Sequence, residues 1–417
     1  MTDAIEVFPS NSKERITEVQ TTLLNEEVAY ATKTTALELV EEIEPEAIFT
    51  VDPKEDDPEA RVSQTINEIK EDLSAEADTN VKKIIQKVKK TYSQHWHEYN
   101  LAQTNEKNFV LALLEELLDS FEDALILDQR PRVGRPQIPL KEKIYCMTLY
   151  EYFGFSARRT VSDFELSRRA GIISRKYHYN SILNGFNDPR ITKILDELIT
   201  ITALPLRIVE RDFAIDSSGF STSRFEQWFN IRTQKDQKIR QWKKMHVIIG
   251  TKTQVVTSVK ITAGTSPDCP ELIPLAEQTH QFFTMENFTA DKAYLSRENL
   301  QIIASLGAMP FIPFKSNSAR AQKGYPIWGV MWKMFHENQD VFMENYHRRS
   351  LVESFFGATK KKLGGHLKTL NDTSQVNELL LKCLIHNLIV LVHAMIELGI
   401  PVDLNYCADE FYTHKYP

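Results

Sequence analysis

Apolar and polar positions along this chain follow two rhythms, and the change falls near Arg211. Upstream the spacing is helical. Residues 11–43 and Asn108–Leu127 recur at three and four, the second with an acidic outer face, and residues 140–205 read as several short helices. From Glu210 the pattern changes. ERDFAID is a short β run ending in Asp216. HVIIG (246–250) and QVVTSVKIT (254–262) form a hairpin around Thr251-Lys252-Thr253, and NFTAD is a strand ending in Asp291. AMPFIPF (308–314) is a further strand. Pro270–Phe283, Leu295–Leu306 and Glu344–Leu363 return to helical spacing. Antiparallel strands followed by strand–helix alternation predict an α/β fold, a mixed sheet flanked by helices and preceded by all-α N-terminal regions. Leu379–Ile400 is the most apolar stretch. It contains Lys382, His386, Asn387, His393 and Glu397, so it reads as a buried helix and not a membrane span.

Four regions follow: 1–100, acidic and mostly helical; 101–205, a helical DNA-binding region with a possible helix-turn-helix; 206–365, the sheet domain; and 366–417, a C-terminal helix and tail packed on it. Glu44–Ala60, with three prolines and clustered acids, reads as a linker. The net charge of −7 conceals an asymmetry, about −16 over residues 1–130 against about +9 over the rest. The basic part is where DNA contacts belong, because Lys and Arg neutralise phosphates and release counterions. Val81–Lys90 is an amphipathic basic helix, for DNA or partner contact or simply a solvated face. QRPRVGRPQIPL (129–140) is an extended arm for a minor groove, or an interdomain loop. Ser174–Phe186 reads as a recognition helix with Arg175, Lys176, Tyr179 and Asn180 near its start. The aromatics from Tyr145 to Phe155 fit a core better than base stacking. Cys146, Cys269, Cys383 and Cys407 form no C-x-x-C pair, which argues against a zinc ribbon or a disulfide framework and suits a reducing cytoplasm. The start MTDAIEVFPS has no basic or apolar leader, so no secretory signal is expected.

Three acids carry the candidate chemistry. Asp216 and Asp291 each end a β run, where α/β sheets present ligands, and Glu353 sits on a helix. Carboxylates converging from separate elements make an oxygen-rich seat for Mg²⁺. Two such ions ~3.5–4 Å apart activate the attacking oxygen and stabilise the leaving one in phosphoryl transfer. Tyr346, Arg349, Glu353 and Lys360, at offsets of 0, 3, 7 and 14, fall within an arc of roughly 60° on one helix face. Leu351, Val352 and Phe355 point the other way, toward the sheet. One face thus gathers a phenol, a guanidinium, a carboxylate and an ammonium. The carboxylate suits metal, the others DNA phosphates.

The spacing Y-(2)-R-(3)-E-(6)-K of Tyr346, Arg349, Glu353 and Lys360 resembles the signature of a large group of insertion-sequence DDE transposases. AIDSSGF around Asp216, the K-x-H strand KKMHVIIG, ADKAYLS around Asp291, FIPFKSNSA beyond it, and GRPQIPL followed by RRTVSDFE resemble the same family in the same order, over roughly 134–400. The resemblance implies an RNase H-like catalytic core with Asp216, Asp291 and Glu353 as catalytic metal ligands for Mg²⁺, Mn²⁺ substituting. It implies transposon-end and target DNA as partners, and a dimer or larger synaptic complex. Tyr346, Arg349 and Lys360 would position terminal DNA, joined as candidate DNA contacts by Lys244, His246, Lys315, Arg175 and Lys176. About 60 residues separate Asp291 from Glu353, so a loop around 316–340 is expected there in place of an inserted domain. That loop is basic and aromatic, for DNA contact or, for Trp328 and Trp332, for core packing. Two other readings stay open: a catalytically silent transposase-derived DNA-binding protein, and a nuclease that hydrolyses without joining.

Overall fold

The computed structural model describes residues 95–120, 137–222, 242–320 and 324–415. Residues 101–417 belong to one compact unit, and of the other, Ile16–Asn100, only 95–100 are described. The expectations for residues 11–43, the 44–60 linker, the 81–90 helix and the arginines of the 129–136 arm therefore lie outside the described residues.

The first helices are α1 (Trp96–Asp119), α2 (Leu140–Phe153), α3 (Val161–Arg169), α4 (Tyr179–Gly185) and α5 (Pro189–Ala203). The acidic face expected on α1 is not an outer one. Glu106, Glu115 and Glu116 are buried, Glu106 accepting from the Tyr152 hydroxyl (2.8 Å) and Lys362, and Glu116 from the backbone N–H of Leu404 (3.0 Å). An acid surrounded by donors is satisfied inside, which spacing alone does not reveal. The expected recognition helix is likewise shorter. His178 caps α4 through Nδ1, accepting from Asn180 N–H (3.2 Å). Tyr177 is buried and donates to Glu142, so Arg175 and Lys176 lie before the helix, not in its first turn. Tyr145 and Tyr150 are core residues, while Phe155 is exposed.

A single sheet follows, with β1 (Asp212–Ser221), β2 (Trp242–Gly250), β3 (Val256–Ala263), β4 (Asn287–Ala290) and β5 (Met309–Phe311) in the order β3-β2-β1-β4-β5. β1, β2 and β3 form an antiparallel meander, and β4 and β5 run parallel to β1. β1 is longer than its sequence suggested, so Asp216 lies at its middle, not its end. β4 pairs only as far as Ile215–Ala290, and beyond that β1 continues with β2, joined at its end by a bridge from Ser221 to His366. β5 is three residues long, and Pro313 follows close on its end, where the longer run was expected to continue. The β2–β3 hairpin turns around buried Glu210, whose carboxylate accepts from Lys252 N–H (3.0 Å), Thr253 N–H (2.5 Å) and the Thr253 hydroxyl (2.7 Å). Position 250 has room only for glycine, since a Cβ would come within 2.3 Å of that carboxyl carbon.

The remaining elements are α6 (Leu272–His280), α7 (Arg297–Ser305), α8 (Pro326–Glu337), α9 (Gln339–Tyr346), α10 (Ser350–Leu363), α11 (Asp372–Glu397) and α12 (Leu404–Lys415). The loop expected at 316–340 is largely α8, begun by Pro326 at its first position, where a missing N–H costs nothing. Its Trp328 is a core residue with the indole N–H on Ala319 O (2.9 Å). The expected helix Glu344–Leu363 is interrupted by a 3₁₀ turn, His347–Arg349, separating α9 from α10.

α11 passes the length and composition test for a membrane span, but it is mostly buried against α5, β3 and α2. Its Asn387 clasps the outer strand. The side-chain carbonyl accepts from Val256 N–H (2.8 Å) while the amide donates to Val256 O (2.8 Å) and Ile199 O (3.2 Å). The adjacent His386 packs edge-on against Phe355 of α10 and bonds Gln254 O (2.8 Å). Burial pushes its pKa down to about 4. The folded protein refuses a proton that the unfolded chain takes up below pH ~6.5, so this stability is full above that pH and is lost as pH falls toward 4. Urea midpoints should therefore drop across that window in the wild type and drop less in His386→Gln. Equal slopes would exclude His386 as the source.

Candidate active site

Parallel register fixes two of the three acids. Ile215 and Ala290 are partners, so Asp216 and Asp291 are the next residues on neighbouring strands, at the point where the two part. Asp291 also caps the following 3₁₀ turn, Lys292–Tyr294, accepting from Lys292 N–H (2.6 Å). α10 packs on β1 through its buried Val352 and Phe355 and presents Glu353 outward.

Arg349, in the 3₁₀ turn, joins these parts. Its Nη1 donates to Asp216 Oδ2 (2.8 Å) and its Nη2 to Glu353 Oε1 (2.5 Å), with the guanidinium 5.9 Å from the Tyr346 ring centre. The neighbouring Arg348 pairs with Asp212 at the start of β1. Two ion pairs to one strand explain why the chain tightens into a 3₁₀ turn here. Further along α10, Lys360 donates to Ser218 Oγ (2.6 Å) and lies 4.9 Å from the Phe220 ring centre. Ser218 shares the strand face of Asp216, so the Arg349–Glu353–Lys360 stripe covers the face that carries the first acid. Burial lowers the Lys360 pKa.

Asp216 is held above the usual carboxylate range, first by burial and further by the charges of Asp291 and Glu353. The Ser217 N–H and Arg349 oppose these effects. Like charges crowded around a half-buried carboxylate are relieved by a cation. Among the described residues no three His, Cys, Asp or Glu side chains stand together at metal-ligand spacing, because Arg349 sits between Asp216 and Glu353. The donor set itself, three carboxylates and no sulfur or imidazole, fits a hard divalent cation.

The candidate DNA contacts divide. Lys315 is exposed in the loop after β5, and Lys176 is exposed before α4. Lys244 and His246 face elsewhere. β2 is central and covered, His246 is fully buried with Nε2 on Thr262 Oγ1 (2.9 Å), and Lys244 is bound to Asp268 (3.0 Å) and Ser266 O (2.9 Å). Burial keeps the His246 side chain from solvent, and Lys244 lies with it on the face of β1 opposite the Arg349–Lys360 stripe. Asp268 itself was not signalled: in SPDCPE a turn former between prolines is what a loop ordinarily contains.

A mixed β3-β2-β1-β4-β5 sheet flanked by helices, with acids from two adjoining strands and a helix behind them, is an α/β RNase H-like transposase fold. Residues 208–388 match the family model described as the transposase DDE domain, a stretch that includes Asp216, Asp291 and Glu353. The match supports a DDE transposase family and a transposase role. No curated protein and no solved structure matches the chain.

Proposed function

We propose that this protein is a DNA transposase that cleaves at transposon ends and joins the freed 3′-OH to target DNA. The observation that carries the reading is the junction of Asp216 and Asp291 at the parting of β1 and β4, bridged to Glu353 by Arg349. Asp216, Asp291 and Glu353 would hold Mg²⁺ or Mn²⁺. When bound, the metal supplies Lewis-acid activation of the attacking oxygen and charge relief at the leaving one. Seating it requires the Arg349 guanidinium to leave the carboxylates. A DNA phosphate is the natural acceptor for that planar fork, and Lys360 adds a point charge along the same face. In the first step water forms the new P–O bond and the 3′ oxygen departs as a hydroxyl. In the second, that hydroxyl attacks a target phosphodiester and the target's own 3′ oxygen leaves. Neither step needs a covalent enzyme intermediate, so Ser217, Ser218 and Tyr346 need not be nucleophiles.

The test is cleavage and joining of labelled DNA carrying the gene's own flanking inverted repeats. Metal-dependent 3′-OH release followed by joining is expected. Specific binding without cleavage in either Mg²⁺ or Mn²⁺ would instead favour a silent DNA-binding derivative, and hydrolysis without joining a nuclease.

A further inference from the structure

We infer that Asp268 is a positioning residue for the acid site, orienting Asp216 through Ser217. The inference rests on the metal-binding reading above.

Side chains alternate along β1, so Ser217 points to the sheet face opposite Asp216. There its hydroxyl donates to Asp268 Oδ1 (2.9 Å). The same oxygen accepts from Lys244 Nζ (3.0 Å) and lies 3.6 Å from His246 Nδ1, a buried atom with no hydrogen-bond partner. Strand register explains the gathering. Ser217 is paired with His246 and Gly219 with Lys244, so β2 delivers both side chains to the face of Ser217. Meanwhile the Ser217 backbone N–H donates to Asp216 Oδ1 (2.8 Å). A serine tethered by its side chain on one face thus aims its amide at the first acid on the other.

The same corner is bolted to the second acid. The Asn299 amide donates to Cys269 O (3.1 Å), one residue past Asp268, and to Tyr294 O (2.8 Å), at the end of the turn that Asp291 caps. Tyr294 is buried in this wedge, and burial together with the charges of Asp268 and Asp216 pushes its pKa up, opposed by the Ser217 hydroxyl. Asp268 therefore belongs to a frame touching β1 and the Asp291 turn at once, while lying on the opposite face of β1 from the Arg349–Lys360 stripe.

Groups that hold metal ligands in place characteristically cost 10–100-fold in metal affinity when removed. The experiment measures Mn²⁺ affinity of the full chain bound to DNA carrying the flanking inverted repeats, against the same DNA alone, by the electron paramagnetic resonance signal of free Mn²⁺. Wild type, Asp268→Ala, Ser217→Ala, the double variant and Asp216→Asn are compared, with a melting temperature for each. Ser217→Ala deletes only the tethering hydroxyl and is the decisive variant if Asp268→Ala fails to fold. Expected are losses of about 10-fold or more in both single variants, an unchanged melting temperature for Ser217→Ala, and a double variant no weaker than Asp268→Ala alone. A role in stability only would lower the melting temperature and leave Mn²⁺ affinity untouched, which overturns the inference. So would losses that multiply in the double variant, since the two groups would then act separately. If Asp216→Asn binds Mn²⁺ as wild type does, the metal reading itself fails and takes the inference with it.

Discussion

Glu353→Gln is expected to lower DNA cleavage by at least about a thousandfold while changing affinity for terminal DNA no more than about threefold. Metal-assisted charge stabilisation contributes several kcal/mol to phosphoryl transfer, and each ~1.4 kcal/mol is a factor of ten in rate. Glu353 is the most exposed of the three acids and has no packing role, with 58 % of its side chain open to solvent. Its removal therefore costs chemistry and not fold. Glutamine keeps the length and can still accept from Arg349, but lacks the charge that a divalent cation requires. Single-turnover cleavage beside a binding titration separates the two effects. A variant that retains more than a tenth of wild-type cleavage would remove Glu353 from the site.

The largest effect on stability is expected from Lys382→Met. Lys382 is fully buried on α11, paired with Glu151 of α2 and donating to Leu363 O at the end of α10 (2.5 Å), with Glu378 at 4.0 Å. Glu378 is satisfied separately, by the backbone N–H groups of Lys368 (2.9 and 3.0 Å) and Thr369 (3.0 Å) and by the Thr369 hydroxyl (2.8 Å). Glu151 depends on Lys382 and on Lys368 Nζ (3.2 Å), and burial already pushes its pKa up. Removing one partner of such a pair strands the other charge and costs about 3–5 kcal/mol, whereas replacing both by apolar groups is often neutral. Chemical denaturation should show that loss for Lys382→Met and recover most of it in Glu151→Leu/Lys382→Met. A single-variant loss below about 1 kcal/mol would mean that water reaches the site.

Much of this architecture is legible in the chain. The strands announce themselves because Phe213–Ile215 of β1, Val247–Ile249 of β2 and Phe288–Ala290 of β4 are buried at successive positions and so appear as short, mostly apolar runs. The two aspartates are visible because a charge terminates or interrupts such a run, and Glu353 because helical spacing sets it beside Arg349 and Lys360. What was hidden depends on partners distant in sequence. The α9–α10 break is invisible in YHRRS, which contains no helix breaker. It follows from Arg348 and Arg349 each finding an aspartate on β1. The burial of Glu106, Glu115 and Glu116 depends in part on donors from α2, α10 and α12. The burial of His246 is likewise set by its place on β2 between two neighbouring strands, which the K-x-H spacing does not reveal.

The acids differ in what anchors them. Asp216 and Asp291 are spaced by a hydrogen-bond ladder, which is as fixed as the sheet. Glu353 is spaced by side chains, Val352 and Phe355 below and Arg349 beside it, and reached by a winding path through α8 and α9. Insertions or deletions between β5 and α10 leave the aspartate pair in place and alter only how the helix leans over it. Lineages descended from this scaffold could therefore vary the segment between β5 and the Arg348–Arg349 turn while the hydrogen-bond ladder keeps the two aspartates in register.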